Sequence, residues 1–185
     1  MNFIDIILIS FALAMDAFAV SIASGSHRFM RNRRSAIRLA FHFGLFQFIM
    51  PVIGWYIGSG ISNIVNSFSQ LLAFGLLLII GIKMIFESFQ SDSEFTHKSS
   101  DPSKGGSLIM LSIATSIDAF GVGLSLAFLN INIWYSASII GFITASLSII
   151  GIIIGNKLGS KFGKKMEIAG GILLILIGLR ILFTH

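Results

Sequence analysis

The chain has 185 residues, of which 55% are hydrophobic and only 11% charged, where a soluble domain carries roughly 25% charged residues. Its apolar blocks also lack the polar stripe of helices in a soluble bundle, and the absence of cysteine excludes a disulfide framework or a thiolate metal site. The net charge of +5 is gathered in alternate loops, a pattern that orients membrane helices and argues against a nucleic-acid partner.

The apolar residues form six blocks of roughly 20 residues, the length a helix needs to cross a bilayer core. They are Phe3–Ser24, Ala36–Ile57, Gln70–Phe86, Ser107–Leu129, Ile133–Gly155 and Glu167–Phe183. The expected fold class is therefore an all-α membrane protein with six transmembrane helices. No basic stretch precedes segment 1, so no cleavable leader is expected. Segment 1 contains Ala14-Met15-Asp16-Ala17-Phe18-Ala19-Val20-Ser21 and is followed by Arg28, Arg31, Arg33, Arg34 and Arg38. Segment 2 holds His42, Gln47 and Pro51; the proline is expected to bend or open the helix and free backbone groups.

Segment 3 ends with Lys83 and Glu87, four residues apart. They are placed to pair along the helix and snorkel to the interface, or to act as gate charges that an arriving ion releases. The polar stretch Ser88–Gly106 reads as a flexible linker. Segment 4 contains Ser116-Ile117-Asp118-Ala119-Phe120-Gly121-Val122-Gly123, and segment 5 contains Thr144, Gly151 and Gly155. Segment 6 opens with Glu167, which caps the helix or collects cations at the mouth, and includes Arg180. Basic residues crowd the links after segments 1, 3 and 5, while the links after segments 2 and 4 have none. The positive-inside rule puts the basic links in the cytoplasm and both termini outside.

The second half echoes the first. Gly44-Leu45-Phe46-Gln47 matches Gly141-Phe142-Ile143-Thr144, and Leu78-Ile79-Ile80-Gly81-Ile82-Lys83 matches Ile175-Leu176-Ile177-Gly178-Leu179-Arg180, both at an offset of 97; the aspartate phrases match at 102. Three spans per half require the second copy to enter the membrane the other way round, giving an inverted repeat of the kind secondary transporters use. The expected organisation is residues 1–87 as the first three-helix repeat, 88–106 as a cytoplasmic linker and 107–185 as the second repeat.

Carboxylates within membrane helices are costly and mark functional sites. Asp16 and Asp118 both fall near mid-membrane, and each is flanked on its helix by small residues: Ala12 and Ala19 for one, Ala114 and Gly121 for the other. Small faces let helices approach closely, and two aspartates neutralise a doubly charged ion. Carboxylate, amide and hydroxyl oxygens suit hard cations such as Mn²⁺, Mg²⁺ and Ca²⁺. Gln47 is the third expected ligand. Thr115, Thr144 and Ser21 are further candidates whose alternative is bonding to their own helix or gluing helices together. His42 is a candidate proton relay, with a structural role as its alternative. No nucleophile–base arrangement and no phosphate-binding loop marks an enzyme.

The phrases Ala12-Leu13-Ala14-Met15-Asp16-Ala17-Phe18-Ala19-Val20-Ser21, Phe46-Gln47-Phe48-Ile49-Met50-Pro51-Val52-Ile53-Gly54-Trp55 and Ala114-Thr115-Ser116-Ile117-Asp118-Ala119-Phe120-Gly121-Val122-Gly123 closely resemble the bacterial manganese efflux pump (MntP) family. The resemblance spans essentially the whole chain. It implies a transporter in the bacterial plasma membrane that exports Mn²⁺ with no resident cofactor, and it maps the family's membrane aspartates onto Asp16 and Asp118. Some members of that family carry Glu where this chain has Gln47. Protons are the expected coupling partner. The alternatives are an exporter or channel for another cation, or a non-transporting membrane protein.

Overall fold

The computed structural model describes residues 3–25, 32–62, 69–89, 103–158 and 161–183. Every regular element among them is a helix: α1 (Phe3–Gly25), α2 (Arg33–Ser62), α3 (Ser69–Phe89), α4 (Gly105–Ala114), α5 (Ile117–Phe128), α6 (Ile133–Leu158) and α7 (Lys161–Phe183). Most of the expected linker, residues 90–102, lies outside the described residues. Five of the six expected segments form one helix each. The fourth is divided into α4 and α5 at Thr115 and Ser116.

Four stretches are long and apolar enough to cross a membrane: α1, α2, the α4–α5 pair and α6; the apolar parts of α3 and α7 are shorter, Gln70–Phe86 and Ile168–Phe183. The proline expected to bend or open segment 2 leaves it unbroken, and α2 runs on through Pro51. Proline has no N–H to offer the carbonyl four residues back, so the Gln47 carbonyl loses its usual helical donor.

α1 packs on α6 and α7, α2 on α5 and α6, and α3 on α5 and α7. Apolar association is weak between helices in lipid, so close backbone contact at small residues replaces it. α2 and α6 cross where a Cβ on Gly44 would lie 2.8 Å from the Gly141 carbonyl oxygen, and one on Gly141 would lie 2.8 Å from the Gly44 carbonyl oxygen. Gly54 and Gly58 receive the α5 backbone at Phe120 and Leu124, while Gly151 and Gly155 receive the α1 backbone at Phe18 and Ile22. The core joins Ile9 and Leu13 of α1 to Leu77, Ile80 and Met84 of α3, Val122 and Leu126 of α5, Ile140 of α6 and Leu174 and Ile177 of α7. Large apolar side chains cover the outside, with Phe142 75% and Phe183 81% exposed. A patch of this kind requires lipid or a partner against it.

α5 and α6 are joined by a short turn in which Asn130 takes a positive φ of 54°, a conformation asparagine tolerates. Trp55 of α2 donates its Nε1–H to the Ile131 carbonyl in that turn at 2.8 Å. Trp55→Phe keeps an aromatic side chain but removes the N–H and part of the ring, so the loss is at least the bond's share of about 1 kcal/mol. The expected result is a fall of about 3 °C in melting temperature in detergent, and an unchanged melting curve would show that the bond does not hold the turn.

Candidate metal-ion site

The α4–α5 break originates in its hydroxyls. Ser112 Oγ donates to the Leu108 carbonyl, Thr115 Oγ1 to those of Leu111 and Ser112, and Ser116 Oγ to that of Ser112. Such bonds compete with the backbone ladder and bend helices. The Ser116 N–H bonds to the Ile113 carbonyl at 3.0 Å, three residues back rather than four. The Thr115 carbonyl, left outside both helices, accepts a hydrogen bond from Gln47 Nε2 at 2.9 Å. Thr115 therefore faces Gln47 with its carbonyl, while its hydroxyl is committed to its own helix.

Asp118 lies in the first turn of α5, where the exposed N–H groups favour a negative charge. It is 4% exposed, and its Oδ1 is 2.6 Å from Lys83 Nζ on α3. Its Oδ2 has no hydrogen-bond partner among the described residues, and neither does Gln47 Oε1. Both Gln47 and Asp118 are buried. A buried carboxylate is tolerated only beside a compensating charge; here a lysine ammonium supplies it and leaves the second oxygen uncommitted.

Asp16 is half-buried on α1. Phe18 and Ile22 turn towards α6, so on the helix wheel Asp16 lies on the other side of α1, the side that carries the core residues Ile9, Ala12 and Leu13. The expected close approach of the two aspartate helices is not found, because α1 and α5 make little direct contact. Their small faces receive other helices instead. Gly121 packs on Ile80 of α3, and Ala12 meets Gly170 of α7. α3 reaches both sides, with Ile80 at α5 and Met84 beside Gly170.

Ser21 and Thr144 are fully buried, and their hydroxyls have no hydrogen-bond partner among the described residues. Ser21 lies against Gly151 of α6, on a different face of α1 from Asp16. The structure thus groups Gln47, Thr115 and Asp118 at the break and puts Ser21 at the contact of α1 with α6, with Thr144 two turns before Gly151 on the same side of α6. The Glu87 and Glu167 side chains lie outside the described residues. His42 Nδ1 is 2.8 Å from the Arg38 carbonyl of its own helix, which is the structural arrangement.

Sequence reasoning missed the Lys83–Asp118 pair, although a lone lysine among apolar residues demands a carboxylate nearby. It also missed the bond from Arg180 of α7 to the buried Asp5 of α1. Among the described residues no group of three or more His, Cys, Asp or Glu side chains gathers to hold a metal. A cation here would rest on few carboxylates and several neutral oxygens, a donor set for hard ions.

Residues 30–182 match the family model described as "Putative manganese efflux pump". The chain is 47% identical over 185 residues to a protein of Syntrophotalea carbinolica, covering all of this chain and 98% of the relative. It is 46% identical to relatives in Geobacter sp. strain M21 and Methanobrevibacter smithii, again covering all of this chain and 98% of each relative. All three relatives bear the name "Putative manganese efflux pump MntP". No solved structure matches.

Proposed function

This chain belongs to the manganese efflux pump family, and from that premise we propose that it exports Mn²⁺ from the cytoplasm, binding the ion between Asp118 and Asp16. The observation that carries the reading is Asp118 itself. It is buried in a broken helix, with one oxygen on a cationic side chain and the other uncommitted. Broken helices at membrane depth are where secondary transporters build ion sites.

Six spans arranged as two inverted repeats, residues 1–87 and 107–185 around the 88–106 linker, are part of the proposal. Reciprocal contacts support it. Gly54 on Phe120 and Gly58 on Leu124 recur as Gly151 on Phe18 and Gly155 on Ile22, at the sequence offsets of 97 and 102. The Gly44–Gly141 crossing is its own counterpart. The basic links then lie on the cytoplasmic side of the cell membrane, with both termini outside.

In this mechanism Glu87 or Glu167 collects Mn²⁺ at the cytoplasmic mouth. The ion displaces the Lys83 ammonium from Asp118 and takes Asp118, Asp16 and Gln47 Oε1 as ligands, with Thr115 beside them. Rocking of the two repeats releases it outward. Moving two positive charges against an inside-negative potential costs about 2.3 kcal/mol per charge per 100 mV, and inward proton flow supplies that energy. Inside-out vesicles carrying the protein are expected to concentrate Mn²⁺ when their lumen is made acidic, and to stop when the pH gradient is collapsed. Equilibration without accumulation would identify a channel. No response to Mn²⁺ at all would remove transport.

A further inference from the structure

Hydroxyls in the described helices mostly bond to the carbonyl four residues back, as in Ser10, Ser112, Ser125, Ser138 and Ser146. This is how a polar side chain is satisfied inside an apolar helix. Ser21, Thr144 and Ser148 break the habit. All three are fully buried, and their hydroxyl oxygens have no hydrogen-bond partner among the described residues. A polar group is not left so in a dry interior without cost.

The three share one seam. Thr144 and Ser148 precede Gly151 by seven and three residues, which puts them on the same face of α6. That face meets α1, with Gly151 against Phe18 and Ser21 and Gly155 against Ile22. The two helices run parallel there, so Thr144, Ser148 and Ser21 follow one another towards the ends that carry Gly25 and Lys157. At its inner end the line reaches the α2–α6 crossing. Thr144 and Gln47 each stand three residues beyond a crossing glycine, and Gln47 leads on to Thr115 and Asp118.

The matching positions between α2 and α5 are of another kind. Pro51 corresponds to Ser148 and Gly123 to Ser21, and a Cβ on Gly123 would collide with the Pro51 main chain. Backbone contact closes both seams, Gly155 on Ile22 as tightly as Gly123 on Pro51, but among the described residues only the α1–α6 seam carries a run of uncommitted hydroxyls.

We propose that the α1–α6 seam, closed in this structure, parts to become an oxygen-lined passage through which a partly hydrated divalent cation travels between the cytoplasm and Asp118. Hydroxyl oxygens replace some of its water, as suits a hard ion. The naming of the cytoplasmic side rests on the orientation proposed above. The seam itself does not.

The chain has no cysteine, so Ser21→Cys, Thr144→Cys and Ser148→Cys each introduce a single thiol. A membrane-impermeant quaternary-ammonium methanethiosulfonate, applied to inside-out vesicles, is the probe. Ser146→Cys on another side of α6, where the native hydroxyl is satisfied by its own helix, is the control. A thiol in an apolar setting stays protonated and slow, so the seam cysteines are expected to react at least about tenfold faster than the control, and Mn²⁺ is expected to slow them. Reaction no faster than Ser146→Cys, or reaction that Mn²⁺ does not slow, overturns the passage. Labelling with Mn²⁺ protection only from the outer face of intact cells keeps the passage and reverses the orientation. Manganese uptake by the same vesicles tests the export reading separately. Ser148→Ala, which retains the packing, is expected to raise the KM for Mn²⁺ with little change in maximal rate; an unchanged KM also overturns the proposal.

Discussion

Asp118→Asn is expected to abolish manganese tolerance in cells while the protein still inserts in the membrane. The substitution is nearly isosteric, so packing of α5 on α2 and α3 survives. The site loses its one carboxylate at the helix break and keeps the Lys83 ammonium, which turns a place that attracts a cation into one that repels it. Outer-shell changes around metal sites already cost 10- to 100-fold in affinity, so loss of a ligating carboxylate should cost at least about 100-fold. Asp16→Asn is expected to do the same from the other repeat. Lys83→Met separates the roles. Without its tethered cation Asp118 should bind Mn²⁺ more tightly, and turnover should fall because nothing replaces the leaving ion. Growth in excess manganese, with vesicle uptake and a blot of the membrane fraction, measures all three. Normal protection by either Asn variant ends the paired-aspartate reading.

Gly123→Val is expected to have the largest effect on assembly. Its side chain would have to occupy the position of the Pro51 main chain, and a proline within a continuous helix has little freedom to move aside. Overpacking of this sort costs roughly 3 kcal/mol or more, and in lipid the surrounding apolar groups offer little compensation. The folded protein should be lost from detergent extracts, with aggregation on gel filtration. Gly60→Val is the matched control, because nothing lies within 4 Å of a Cβ there. A monodisperse Gly123→Val protein with an unaltered melting temperature would show that this contact is not tight in solution.

Much of the molecule could be read residue by residue. The apolar blocks of segments 1, 2, 3, 5 and 6 became α1, α2, α3, α6 and α7 with every end within six residues, because hydropathy adds up along the chain and needs no knowledge of neighbours. Gln47 and Asp118 were identifiable because each is costly to bury in an apolar helix, and both are buried. Thr115 and Ser116 were visible as hydroxyls, yet whether they bond locally and interrupt a helix depends on what takes up the freed carbonyl. Here it is Gln47, 68 residues away. Pro51, the stronger local signal for a break, leaves α2 continuous, since its fixed φ suits a helix and the loss is a single backbone hydrogen bond.

Composition and block length were enough, on their own, to indicate a helical membrane protein, and the phrases around Asp16, Gln47 and Asp118 carried the resemblance to the manganese efflux family that the relatives bear out. Those properties are sums or matches along one dimension. The partner of Asp118 was decided only in three dimensions. Lys83 stands 35 residues from Asp118, a separation that no helix wheel spans. The contact is made because α3 packs on α5, and a charge inside an apolar bundle goes to opposite charge that the packing brings within contact.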